Sequence, residues 1–284
     1  MKIIPRGFEN LPALKNLNYV SFGTGGGDPT KWEYFHIINE YAGDNVLTIN
    51  LSRTDFTSAN TEYSFDKETW EALNFGSTTY LTMPEGSTVY LRGTDWVRNS
   101  GAYTNVFKCN KNFSLGGCIL SLLDYTNMKN ITEIPDYFAQ YLFNFINNLI
   151  KADFNIGNAT TVGDSGFKQC FGTCSNLNTA PNFSNLTSVG SDTFGSCFEN
   201  CTSLTTSPDF SNVTSVGNSV FEYCFYGCSN LNYVYAPSVS EWKSSNFNDW
   251  LSGVASTGTM SCPQGLSIPE GTSGIPSGWT RVDR

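Results

Sequence analysis

Nine cysteines and a single histidine, His36, are the side chains of this 284-residue chain best suited to metal binding or nucleophilic chemistry. Six of the cysteines form three Cys-x-x-x-Cys pairs: Cys170/Cys174, Cys197/Cys201 and Cys224/Cys228. Such pairs serve as metal ligands, disulfide partners or buried core residues. A zinc ion asks its thiolates to converge on one point, whereas pairs repeating every 27 residues form two parallel rows. Disulfides between neighbouring repeats, such as Cys170–Cys197 or Cys174–Cys201, are permitted by distance alone. An upstream, degenerate copy holds Leu142 and Ile146 in the same two slots. A slot that takes Leu or Ile is apolar, and reduced cysteine fills it as a small hydrophobe. The expectation is therefore core cysteines, with no metal and no cofactor; Cys109, Cys118 and Cys262 lie outside the pattern. His36 stands between Phe35 and Ile37 with no second histidine and no nearby cysteine, and reads as a structural residue. Acid–base hydrolysis needs two carboxylates at a set separation. Asp164 aligns with Ser191 and Asn218, and Asp209 with Asn182, so the repeat acids read as solvated loop positions. No residue is assigned a catalytic role, and the chain is expected not to be an enzyme.

The elements that position these residues follow from the repeat. Val162–Leu177, Val189–Leu204 and Val216–Leu231 superpose without gaps at a step of 27, carrying Phe167 to Phe194 to Phe221 and each cysteine to its counterpart. Pro181/Phe183 and Pro208/Phe210 follow the first two copies, while the third reads Tyr233-Val-Tyr-Ala-Pro237. In the degenerate copy Ile134 takes the place of Val162, Phe143 of Phe171 and Leu149 of Leu177. Residues 135–151 carry proline at the first turn and a stripe of Phe138, Leu142, Ile146 and Leu149, a pattern that predicts an amphipathic helix. A period of this length with a recurring leucine fits a stacked leucine-rich solenoid whose ends need capping. Upstream, Leu47/Ile49/Leu51, Tyr63/Phe65 and Val89/Leu91 alternate with polar residues between turn signals, which predicts an antiparallel sandwich. The glycine-rich stretch 23–29 lacks the framing and spacing of a dinucleotide fingerprint and reads as a loop. The expected class is α+β or mainly β. It comprises an arm over 1–44, a β-sandwich over 45–118, a solenoid over 119–239 and a cap over 240–284.

Composition narrows the function classes. The formal charge is −9, only 14% of residues are charged and 14% are aromatic. An aromatic-rich chain of low charge folds rather than staying disordered. Without a Lys/Arg run it is not expected to bind nucleic acid, and no apolar run reaches the length of a membrane span. The start, Met1-Lys-Ile-Ile-Pro5, is too short in apolar residues for a secretory h-region. That points to a protein reaching the outside without the general secretory route, as phage structural proteins do. Sequons such as Asn158-Ala-Thr160 and Asn212-Val-Thr214 are expected by chance in so Asn- and Thr-rich a chain.

The Phe-x-x-Cys-Phe-x-x-Cys-x-x-Leu repeats with their following proline resemble the BspA-like leucine-rich repeat family of surface proteins, in a form typical of gut Bacteroidetes and their phages. Glu62–Trp70, Val89–Gly93 and Gly117–Leu123 are similar to the β-domain that often precedes those repeats, and Trp250–Thr259 with Gly274–Trp279 to the family's cap. The likeness spans about residues 45 to 284; Cys118, where the family more often has asparagine, departs from it. The resemblance implies adhesion and supplies no catalytic residues. The expected function is a non-enzymatic structural or binding protein on a virion surface: a head fibre, decoration or tail-associated protein that contacts a host-surface glycan or protein. The alternative is a bacterial cell-surface adhesin. Ile3, Ile4, Phe8, Leu11 and Leu14 are the expected anchors onto capsid or tail proteins, unless the arm instead supplies a strand to the sandwich. Tyr223, Tyr226, Tyr233 and Tyr235 are the expected ligand platform, unless they pack on the cap around Trp242 and Trp250. A homo-oligomer, such as a trimer, is suggested by class analogy only.

Overall fold

A computed structural model describes residues 33–51, 56–58, 60–94, 96–98 and 105–284. The anchors expected at Ile3, Ile4, Phe8, Leu11 and Leu14 lie outside these residues, as does the glycine-rich stretch. The described chain is mainly β, and its helix is confined to one turn at Ser121–Asp124 and 3-10 turns at Met128–Asn130 and Ser244–Asn246. In the first region the strands are β1 (Phe35–Asn39), β2 (Asn45–Asn50), β3 (Phe56–Ser58), β4 (Thr61–Ser64), β5 (Glu71–Ala72), β6 (Thr78–Met83), β7 (Thr88–Gly93), β8 (Val97–Arg98), β9 (Phe107–Cys109) and β10 (Phe113–Cys118). The second region holds β11 (Glu133–Ile134), β12 (Leu149–Asn155), β13 (Thr161–Val162), β14 (Ser188–Val189), β15 (Thr206–Asp209), β16 (Ser215–Val216), β17 (Tyr233–Tyr235), β18 (Gly258–Cys262) and β19 (Trp279–Asp283).

The largest sheet has the order β12-β10-β1-β7-β4-β5. Its β1 comes from the segment that the sequence assigns to an arm: Phe35 and Ile37 alternate into the core, and the strand pairs antiparallel with both β10 and β7. Residues 35–39, at the end of the segment assigned to the arm, thus form an inner strand of the sheet. The division at 118 is not a gap either, since β10 pairs parallel with β12 of the degenerate repeat. A second sheet, β6-β2-β9, supplies Leu47, Ile49, Met83 and Phe107 to the same hydrophobic cluster, and the Phe35 and Phe107 rings lie 5.8 Å apart across it.

From β11 onward, consecutive repeats pair in parallel. Ile134 pairs with Val162, Val162 with Val189 and Val189 with Val216, and the open sheet β11-β13-β14-β16 results. On another side of the repeats β15, β17, β18 and β19 form a second parallel ladder. Pro208 cannot donate to this ladder. The register therefore shifts between Thr206 and Asp209, and Tyr235 pairs with Asp209 rather than with the proline the alignment sets beside it.

Residues 135–151 do not form the predicted helix. Tyr137, Tyr141 and Phe145 take positive φ (58°, 56° and 59°), and the amides at 137, 139, 141, 143 and 145 donate to the next repeat, at Asp164, Gly166, Lys168, Cys170 and Gly172. The pattern recurs at Ser165/Gln169/Thr173 and Asp192/Ser196/Asn200. A left-handed residue every fourth position costs each L-residue about 1–2 kcal/mol. It bends the chain into square turns whose alternate amides face the neighbouring repeat, and that ladder offsets the cost.

The interior is a set of aromatic columns. Phe143, Phe171, Phe198 and Phe225 stack at 5.5, 5.3 and 5.5 Å with ring planes within about 10°. This column continues into the first region through Phe107 and Trp96. A second column runs Phe167–Phe194–Phe221–Phe247 and is closed by Trp242, stacked on Phe247. The cysteine rows lie beside them, fully buried. The thiols of Cys174, Cys201 and Cys228 each donate to a phenylalanine carbonyl one repeat back: Phe143 at 3.0 Å, Phe171 at 3.2 Å and Phe198 at 2.9 Å. In the degenerate repeat Ile146 fills the corresponding slot and is buried.

All nine cysteines are free thiols and buried. Desolvation pushes Cys109, Cys174 and Cys228 up to about 12, and raises Cys170, Cys197, Cys201, Cys224 and Cys262 as well. Since the thiolate is the reactive form, the native protein should react negligibly with a thiol reagent at neutral pH. After denaturation without reductant it should release nine thiols. Rapid labelling of the native state, or a denatured count well below nine, would contradict this packing.

Candidate functional site

Two surfaces are candidates, and the first is the tyrosine set. Tyr223 and Tyr226 lie on the square turns of the last full repeat, 36% and 41% exposed, with ring centroids 5.8 Å apart. Tyr223 stands at a left-handed position (φ 52°), and its hydroxyl lies 3.5 Å from the Asn248 side-chain amide. Tyr233 and Tyr235 belong to β17, half-buried between β15 and β18, with centroids 5.0 Å apart. The four therefore form two pairs rather than one platform. Trp242 and Trp250 contact the Phe221, Phe225 and Phe247 rings. Their indole N–H groups donate to the Ser273 and Gly274 carbonyls. The tyrosines meet other parts of the cap: the Tyr223 amide donates to the Asn248 carbonyl at 2.9 Å, and β17 pairs with β18.

The second surface was not legible in the sequence. On the outward face of the large sheet, β1, β10 and β12 line a cleft of about 460 Å³, bordered by the loops at 155–157 and 182–185. Register brings its residues together: His36 lies opposite Gly116, and Gly116 opposite Asp153; Ile38 lies opposite Ser114, and Ser114 opposite Lys151. His36 is buried and its Nδ1 lies 2.9 Å from the Tyr34 carbonyl. A carbonyl only accepts, so Nδ1 carries the proton and Nε2 is left as an acceptor. Burial lowers the His36 pKa, opposed by that hydrogen bond and by Glu33 and Asp153. Gly116 makes room for the ring: a Cβ there would lie 2.4 Å from His36 Nε2. Beside it, Tyr90 packs edge-on to the imidazole at 5.5 Å, and Lys67 sits 4.2 Å above the Tyr90 ring while pairing with Glu33. Lys151 and Asp153 are exposed. Ser114 is 2% exposed and its hydroxyl has no hydrogen-bond partner.

The acids of the repeats are structural ties. Asp136 accepts from the Asp164 amide at 2.8 Å, and Asp164 accepts from the Ser191 amide at 2.6 Å. Asn158, Asn185 and Asn212 each donate to a carbonyl of the preceding repeat, at Lys129, Gly157 and Ser184. All three are sequon asparagines (Asn185-Leu-Thr187 is a further one), and their side chains are thus engaged between repeats. Among the described residues no group of three or more His, Cys, Asp or Glu could hold a metal ion, and no helix is long and apolar enough to cross a membrane. Compared with protein-family models, with curated proteins and with solved structures, the chain matches none.

Proposed function

We propose that the chain is a non-enzymatic binding protein displayed on a bacteriophage virion, built as a β-sandwich joined to a capped, BspA-like leucine-rich repeat solenoid. The observation that carries this reading is the allocation of side chains in the repeats. Their aromatic and cysteine residues fill columns, and their Asp and Asn side chains tie one repeat to the next. What varies from repeat to repeat is the outward position on the square turns: Gln169, Ser196 and Tyr223 occupy one such position in successive copies. A fixed scaffold with variable outward side chains suits recognition, and paired exposed tyrosines suit contact with a glycan or protein. Residues 1–14 would dock on capsid or tail proteins.

Mass spectrometry of purified phage particles tests this reading. The protein should be found in the particle. Deleting residues 1–14 should remove it while leaving a folded, soluble chain, and Tyr223→Ser with Tyr226→Ser should leave incorporation intact while weakening attachment to host cells. Recovery in bacterial outer-membrane fractions instead of particles would favour the cell-surface adhesin and end the virion reading.

A further inference from the structure

The geometry points to the cleft between β1, β10 and β12 as a second binding site, one that takes a neutral polyhydroxylated ligand of the size of one or two sugar residues. The first observation is Ser114. A hydroxyl that is 2% exposed, lines the cleft and lacks any partner is an exception to the rule that buried polar groups are paired. A ligand hydroxyl entering the cleft would supply the missing partner.

The second observation is the chemistry around it. Uncommitted acceptors, the Asp153 carboxylate and His36 Nε2, stand with uncommitted donors, the Lys151 ammonium and the Asn182 side-chain amide. Each sugar hydroxyl both donates and accepts, so adjacent hydroxyls are satisfied by acceptors and donors set side by side. Charge excludes the other small ligands. Glu33, Glu40 and Asp153 outnumber Lys151 around the cleft, which disfavours an anion, and the acids form no metal-binding group among the described residues. The volume, about 460 Å³, falls within the roughly 300–1,000 Å³ usual for small-molecule sites. None of the four tyrosines lines this cleft, and the inference stands or falls apart from virion display.

The test uses the full chain and its single histidine as reporter. The His36 ring resonances are followed by NMR during titration with methyl glucoside, methyl galactoside, methyl mannoside and N-acetylglucosamine. At least one should give a saturable shift. Asp153→Ala should weaken that binding about tenfold or more, as loss of a charge-assisted hydrogen bond does, and Ser114→Ala about three- to tenfold. Ser114→Ala should also unfold at the same temperature as the parent or higher, because it deletes a hydroxyl left unpaired in the free protein. No saturable shift with any of the four sugars overturns the proposal. So does a shift that both variants leave unchanged, or the same shift produced by inorganic phosphate.

Discussion

Phe194→Ala is expected to lower the unfolding free energy by about 4–5 kcal/mol, the upper end for a buried phenylalanine. Phe194 is fully buried where four rings meet: Phe167 at 5.9 Å and Phe221 at 5.6 Å stack on it, and Phe183 at 5.2 Å and Phe210 at 4.9 Å close in at a tilt. Truncation leaves a cavity that the stacked neighbours cannot collapse into without losing their own contacts, and each ring pair adds about 0.5–1.5 kcal/mol beyond area burial. Phe145→Ala provides the internal comparison. Its ring is 71% exposed, so its removal should change stability by no more than about 0.5 kcal/mol. Urea unfolding of the three proteins measures both. Equal losses from Phe194→Ala and Phe145→Ala would show that the aromatic column is not the core.

Gly190→Ala is expected to cost about 2–3 kcal/mol or more through overpacking. Its Cβ would lie 2.5 Å from the Asp164 carboxylate oxygen and 2.7 Å from the Asp164 amide nitrogen. Gly163 and Gly217, the equivalents in the flanking repeats, meet the preceding repeat at 2.1 Å (Asp136 Oδ1) and 2.4 Å (Ser191 N). Glycine is required here by the approach of successive repeats, which have no side chain's width between them. Yet the left-handed positions, where glycine is usually favoured, hold residues such as Gln169, Thr173 and Ser196. Thermal unfolding of Gly190→Ala should show a clear loss; parent-like behaviour would mean that the repeats do not approach this closely.

The mainly β class and the step of 27 were legible because one repeat must stack on the next, and identical rows of Phe and Cys are the trace of that stacking. Phe167, Phe194 and Phe221 align in sequence and stack in space. The helix over 135–151 was a misreading with a definite cause. Phe138, Leu142 and Ile146 recur every four residues, and over so short a window four cannot be told from the helical 3.6. The left-handed residues at Tyr137, Tyr141 and Phe145 set that period instead. Strand β1 was hidden because Ile38 puts an apolar residue on the outward face and blurs the alternation of Phe35 and Ile37. The cleft was illegible for a different reason. His36, Ser114 and Asp153 sit on three strands far apart in the chain, and only the parallel pairing of β10 with β12 makes them neighbours.

The central claim is that each repeat hydrogen-bonds to the next along its square turns. Scalar couplings across hydrogen bonds, measured by NMR on deuterated protein, test it most directly. The amide of Phe194 should couple to the carbonyl carbon of Val220, and that of Phe198 to that of Cys224, through the 2.9 Å bonds seen in both cases. Couplings from these amides to carbonyls three or four residues back in their own repeat would mean local helical turns, and would contradict the stacked architecture on which the functional reading rests.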